Sequence, residues 1–202
     1  MPIKLENVSY TYDAGTTLAV RALRGVTLDA ADGEFIGVMG AAGSGKSTLI
    51  QLIAGLIKPT EGQILLDGED INARKYDRDV LHRKVGLVFQ YPEYQLFETT
   101  VERDVGFGLR HLGLTKEETA AAVRAALETV GFDYDTVRDM SPLGFSGREK
   151  RRIAIAGVLA SKPGVLILDE PVAGLDPLGR QDFLNMVDAL NAAGTTIIMI
   201  SH

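Results

Sequence analysis

Two spacings of apolar residues alternate along this chain. Short runs bounded by glycine read as strands, and longer stretches with apolar positions every three or four residues read as helices. Residues 5–12 and 22–28 are β-rich, punctuated by Gly15 and Gly25. The apolar run 34–39 ends in a glycine cluster, and a helical stretch follows from Lys46 to about Leu56, closed by Gly55, Lys58, Pro59 and Gly62. Residues 63–66 and 85–89 read as further strands. The middle, 91–138, reads as mostly helical, with helical spacing over 101–112 and 116–130. Beyond it come a helix over 147–160, an apolar strand 165–168, a helix 178–190 and a β-branched strand 195–200. Apolar strands alternating with helices imply an α/β fold whose parallel sheet is covered on both faces. Residues 1–90 and 163–202 would form that core, and 91–162 an inserted helical subdomain.

Composition narrows the class. The chain has 202 residues, 46% of them hydrophobic, with a formal net charge of −6. That suffices for a packed core and argues against disorder. The longest purely apolar helical run, 153–160, falls far short of the roughly 18 residues that cross a bilayer. The first residues lack the basic-then-apolar pattern of a signal peptide. There is no cysteine, which excludes disulfides, thiolate metal sites and cysteine nucleophiles. The acidic balance argues against a nucleic-acid partner. A soluble cytoplasmic protein is the expectation.

The chemistry lies at four strand ends. Strand 34–39 runs into Gly40-Ala41-Ala42-Gly43-Ser44-Gly45-Lys46-Ser47-Thr48, strand 85–89 into Gln90, strand 165–168 into Asp169-Glu170, and strand 195–200 into Ser201-His202. Open α/β sheets bind ligands in the crevice beyond the carboxyl ends of their strands. If the four strands are parallel neighbours, these residues converge.

The first segment fits the phosphate-binding loop G-x-x-x-x-G-K-[ST]. Its glycines let successive N–H groups aim at phosphate oxygens, and the next helix adds its positive end. Lys46 would reach the β- and γ-phosphates, Ser47 would hold Mg²⁺, and Thr48 would hydrogen-bond the α-phosphate. Asp169 would bind Mg²⁺ through water, and Glu170 would polarise the attacking water as general base. Gln90 could touch both metal and water, and His202 the γ-phosphate. Tyr12, at the end of the first strand, is either edge packing or a platform for a purine. His82 and His111 fall in predicted helices away from the strand ends and read as solvated or packed.

Ser146-Gly147 opens a helix about twenty residues before Asp169-Glu170. With the phosphate loop, Gln90, the run from Asp169 to Asp176 and His202, the chain resembles an ATP-binding-cassette (ABC) ATPase along nearly its whole length. The segments VSYTYDAGT, FQYPEYQLFE and RRIAIAGVLA resemble the ATPase subunits of energy-coupling-factor (ECF) transporters, which import vitamins or transition-metal ions. The resemblance implies a P-loop NTPase of the ABC type, with an N-terminal antiparallel β-subdomain beside the parallel core. It also implies ATP and Mg²⁺, and a head-to-tail dimer with a second ATPase subunit. In that dimer Ser146 and Gly147 would bind the γ-phosphate of the partner's ATP, and Asp176 would couple the two sites. Tyr12 falls where the family stacks an aromatic ring on adenine. Residues 91–98 would face a transmembrane coupling subunit, which carries a separate substrate-binding membrane subunit. The complex would sit on the cytoplasmic face of the cell membrane. Arg103 and Asp104 read as a solvated helix face.

Two departures stand out. The family signature Leu-Ser-Gly-Gly-Gln is Phe145-Ser146-Gly147-Arg148-Glu149 here. Arg148 replaces a glycine beside phosphate, and Glu149 sets a carboxylate where an amide is usual. The expectation is that the site completed by this signature hydrolyses poorly or needs a particular partner, which points to a paralogue as the second subunit. The family also continues for tens of residues beyond its histidine, whereas this sequence stops on it. The expectation is a fragment that lacks the family's C-terminal region. The competing reading is a nucleotide-gated dimerising module with little turnover. A GTPase is disfavoured, since no N-K-x-D segment is present.

Overall fold

The computed structural model describes residues 1–201. Its contacts define two compact units: residues 1–87, 164–170 and 190–201, and residues 88–163 with 171–189. His202 lies outside the described residues.

The first unit holds two sheets. β1 (Ile3–Tyr12), β2 (Val20–Ala30), β4 (Glu61–Leu66) and β5 (Glu69–Asp70) form an antiparallel sheet in the order β2-β1-β4-β5. β3 (Phe35–Met39), β6 (Val85–Val88), β7 (Val165–Asp169) and β8 (Thr196–Ser201) form the other, in the order β3-β8-β7-β6. β8 runs parallel to both β3 and β7. The four strands read as ending in chemistry are thus one sheet. Val165 to Leu168 are all fully buried, as an unbroken apolar strand covered on both faces must be. One core joins the sheets to the helices α1 (Lys46–Ile53) and α2 (Arg78–Lys84), through Leu5, Leu52, Ile64, Leu81, Ile167 and Ile198.

α1 is shorter than its apolar spacing predicts. Ala54 caps it and Gly55 takes a left-handed φ of 70°, so the chain leaves the helix before Leu56.

The second unit is helical: α3 (Val101–Val105), α4 (Lys116–Thr129), α5 (Tyr134–Val137), α6 (Gly147–Leu159) and most of α7 (Pro177–Ala192). The helix expected over 101–112 breaks early. Gly106 caps α3, and a 3-10 turn, Phe107–Leu109, takes over. Two glycines in three residues make that stretch a poor helix. Val101, Val105, Val123, Leu127, Ile153 and Ala156 are buried, and α3, α4 and α6 pack on one another. Asp104 is not a solvated face residue: it accepts the amides of Phe97 (2.9 Å) and Glu98 (2.7 Å). Arg103 is exposed, as expected. Among the described residues no helix is long and apolar enough to cross a membrane.

Candidate active site

The β3–α1 loop carries the phosphate-loop motif. Gly45 is its hinge, at φ 94°. A Cβ there would lie 2.7 Å from the Ala22 carbonyl and 2.7 Å from Leu23 Cδ2, so only glycine fits. At Gly43, φ 79°, nothing lies within 4 Å of an added Cβ. The loop therefore bends on a residue that faces open space. Gly40, Ala41, Ala42, Gly43 and Ser44 are all exposed.

Lys46 is buried, and its ammonium is satisfied by the loop itself. Nζ donates to the carbonyls of Gly40 (2.6 Å) and Ala41 (3.0 Å). A buried cation needs such partners, and phosphate oxygens are stronger ones. Ser47, at the first turn of α1, is exposed. Thr48 is buried, and its Oγ1 lies 3.0 Å from the Tyr12 hydroxyl. Tyr12 keeps a partly exposed ring, edge-on to Tyr10 at 4.8 Å. That hydroxyl bond joins the aromatic candidate to the phosphate loop.

The sheet register aligns the strand ends. Met39 pairs with Ser201, and Asp169 with Ile200. With about 4.8 Å between neighbouring strands, β3 and β7 lie about 10 Å apart across β8. Lys46 follows one of these strands, and Asp169 ends the other. Glu170 takes a left-handed φ of 46°, and its amide donates to the Ile200 carbonyl at 3.2 Å. A non-glycine residue held there stores strain, a frequent mark of functional positions. Gln90 comes two residues after β6, which ends at Val88 rather than Phe89, and belongs to the second unit.

The signature segment forms the N-terminus of α6. Ser146 is the N-cap, and a full capping box closes on Glu149. The Glu149 carboxylate accepts the Ser146 hydroxyl (2.6 Å) and amide (2.9 Å). Those two bonds, the hydroxyl's first, hold its carboxyl below the usual range. Arg148 pairs with Asp176 of its own chain, Nη2 to Oδ1 2.6 Å.

Sequence reasoning missed Arg151 and Glu93. Arg151 is 5% exposed and holds both Glu93 carboxylate oxygens at 2.9 Å. Arg151 shares helical phase with the buried Ile155 and Leu159, but so do Arg148 and Arg152, so the sequence carried no signal that singles it out.

Comparison with known proteins gives this geometry its class. The family model for the ABC transporter matches residues 23–173, and the chain belongs to that family. Energy-coupling factor transporter ATP-binding protein EcfA2 of Clostridium acetobutylicum is 52% identical over 203 residues, spanning 100% of this chain and 71% of that protein. EcfA2 of Symbiobacterium thermophilum is 51% identical over 202 residues, spanning 100% and 70%. Among solved structures, cbiO1 of Clostridium perfringens, part of the ABC transporter complex cbiONQ, superposes with a TM-score of 0.85. It is 39% identical and covers 99% of this chain and 78% of that one. The ATP-binding cassette MJ0796, as a post-hydrolysis dimer bound to ADP and Pi, gives 0.81 at 31% identity, with coverage of 99% and 88%. The chain is an ATP-binding, ATP-hydrolysing subunit of an ECF-type ABC importer.

Proposed function

We propose that this subunit hydrolyses ATP to drive uptake of a vitamin or a transition-metal ion. It works head to tail with a paralogous ATPase subunit. The pair docks on a transmembrane coupling subunit, which carries a substrate-binding membrane subunit, at the cytoplasmic face of the membrane. The observation that supports this reading most is the shared sheet edge of the first unit. There the Lys46 loop follows β3, and Asp169-Glu170 closes β7 on the far side of β8.

Lys46 exchanges its two loop carbonyls for β- and γ-phosphate oxygens, while loop amides from Gly40 to Thr48 cradle the phosphates. Glu170 accepts a proton from the attacking water. The new P–O bond forms in line as the bond from the γ-phosphorus to the bridging oxygen breaks, and ADP leaves. Gln90 orients the water, and His202 contacts the γ-phosphate. Ser146 and Gly147, flanked by Arg148 and Glu149, complete the site on the partner's nucleotide, and Asp176 relays between the sites. The donor set suits Mg²⁺. The Ser47 hydroxyl, the Gln90 amide oxygen and, through water, the Asp169 carboxylate would hold it as hard oxygen ligands. Bound there, the ion would supply charge neutralisation to the phosphates.

Glu170→Gln in the assembled complex tests the reading. It should abolish phosphate release and leave ATP bound in a closed dimer. The bond between Ser146 and Glu149 favours a second reading, a nucleotide-gated module with little turnover. Under that reading Glu170→Gln changes little.

A further inference from the structure

Arg151 occupies a costly position. A nearly wholly buried guanidinium persists only when it is well hydrogen-bonded, and here four bonds engage all three of its nitrogens. Nε and Nη2 donate to Glu93 Oε2 and Oε1, each at 2.9 Å. Nη1 donates to the carbonyls of Ala173 (2.8 Å) and Pro171 (3.3 Å). The Tyr91 ring lies 5.7 Å from the guanidinium carbon. One planar group therefore joins α6 to two separate backbone segments.

Those segments are the immediate continuations of the two residues assigned to the attacking water. Tyr91 and Glu93 follow Gln90, while Pro171 and Ala173 follow Glu170. Both segments begin with strained backbone. Tyr91 has φ 55° and Glu170 has φ 46°, conformations that persist only where the surroundings over-determine them. Arg151 anchors each segment within three residues of its strained point.

We propose that Arg151 is a positioning residue for hydrolysis. Its fork on Glu93 and its bonds to the 171–173 backbone fix where Gln90 and Glu170 emerge. This rests on the proposed roles of those two residues. A lysine keeps the charge but places its three donors on one nitrogen, so it loses the planar fork that grips both Glu93 oxygens while a third nitrogen reaches the two carbonyls. A displacement of about 1 Å at a reacting group can cost roughly a hundredfold in rate.

The test compares Arg151→Lys, Glu93→Gln and Glu170→Gln in the full assembled transporter. The readouts are kcat and KM for ATP, affinity for a fluorescent ATP analogue, and thermal unfolding. Arg151→Lys should lower kcat at least about tenfold while nucleotide affinity stays within about twofold. Glu93→Gln, which leaves the carbonyl bonds in place, should lower kcat less, by about threefold, again at unchanged affinity. A kcat within twofold of wild type for Arg151→Lys overturns the proposal. So does a fall in kcat matched by an equal fall in the fraction of nucleotide-binding subunits, the mark of a purely structural role. If Arg151→Lys fails to fold, Glu93→Gln decides: lowered kcat at unchanged affinity supports the proposal, and unchanged kcat overturns it. Turnover that persists in Glu170→Gln removes the assigned role of Glu170 itself, an outcome separate from either.

Discussion

Arg148 Nη2 and the Gly179 amide meet on the same oxygen, Asp176 Oδ1, each at 2.6 Å. The residue that replaces the signature glycine is thus engaged within its own chain, on the residue assigned to couple two nucleotide sites. The Gly179 amide holds the Asp176 carboxyl below its ordinary value; burial opposes it, and the Arg148 hydrogen bond and charge add to the lowering. The Asp176 carboxylate stays charged at neutral pH. The pair links the start of α6 to the turn that enters α7.

The altered signature should slow turnover through Ser146. Its hydroxyl donates to the Glu149 carboxylate, and that bond must break before the hydroxyl can donate to a partner's phosphate. Glutamine at 149 would weaken the competing bond by making it neutral, and glycine at 148 would release Asp176. The double substitution Arg148→Gly with Glu149→Gln should raise ATP turnover of the assembled complex by about three- to tenfold. Phosphate release measures it, and an unchanged rate removes the idea.

Gly179 makes room for the pair. An added Cβ would stand 2.7 Å from Arg148 Nη2 and 3.1 Å from Asp176 Oδ1. The guanidinium is the far end of a flexible side chain, so it can swing away while the fold survives. Alanine also suits a helix better than glycine, by up to about 1 kcal/mol. Gly179→Ala should therefore raise the unfolding temperature slightly yet erase the coupling between positions 148 and 176. Double-mutant cycles for ATP turnover, run with and without the alanine, read that coupling. Undiminished coupling in the alanine background would show that the pair does not need the space.

Tyr12 offers a separation of ring from hydroxyl. The ring is open to a stacked base, and the hydroxyl binds Thr48. Stacking of a base on an aromatic ring contributes about 1–3 kcal/mol. Tyr12→Ala should weaken ATP binding about tenfold or more, and Tyr12→Phe should stay within about twofold. Fluorescent-nucleotide titration distinguishes them. Equal losses in both would shift the role from the ring to the Thr48 bond.

The sheet edge that carries Lys46 and Asp169 was legible in the sequence because its pattern is local. An apolar strand, then glycines, then Lys46 opening a helix can be read in one pass, as can the buried run that ends at Asp169-Glu170. What escaped was non-local or context-set. Arg148 and Asp176 are 28 residues apart, and Arg151 and Glu93 are 58 apart, so nothing between them announces a pairing. In the run from Arg148 to Arg152, helical phase does not single out Arg151, because Arg148 and Arg152 also align with Ile155 and Leu159. α3 ended early because Gly106 and Gly108 outweigh three apolar positions in phase. Asp104 looked solvated because its partners are backbone amides, which leave no trace in residue type.

The buried ion pair of the second unit should show itself in acid. Burial by itself would raise the Glu93 carboxyl, but the Arg151 hydrogen bonds and charge outweigh it and hold it below the ordinary value. A carboxylate depressed in the folded state contributes stability in full above its unfolded pKa, about 4.3 for glutamate. That contribution is lost as pH falls through the lower folded value. Glu93→Gln removes the charge at every pH but can still accept one bond from Arg151. It should therefore cost about 2 kcal/mol near neutrality. Below about pH 4.3 the gap should shrink, because the wild-type carboxyl is itself becoming neutral while the glutamine does not titrate. Urea midpoints of wild type and Glu93→Gln, compared from pH 7 down into the acid range, isolate this group from the other carboxylates. A gap that stays constant through that range would mean that Arg151 does not hold Glu93 in its charged form.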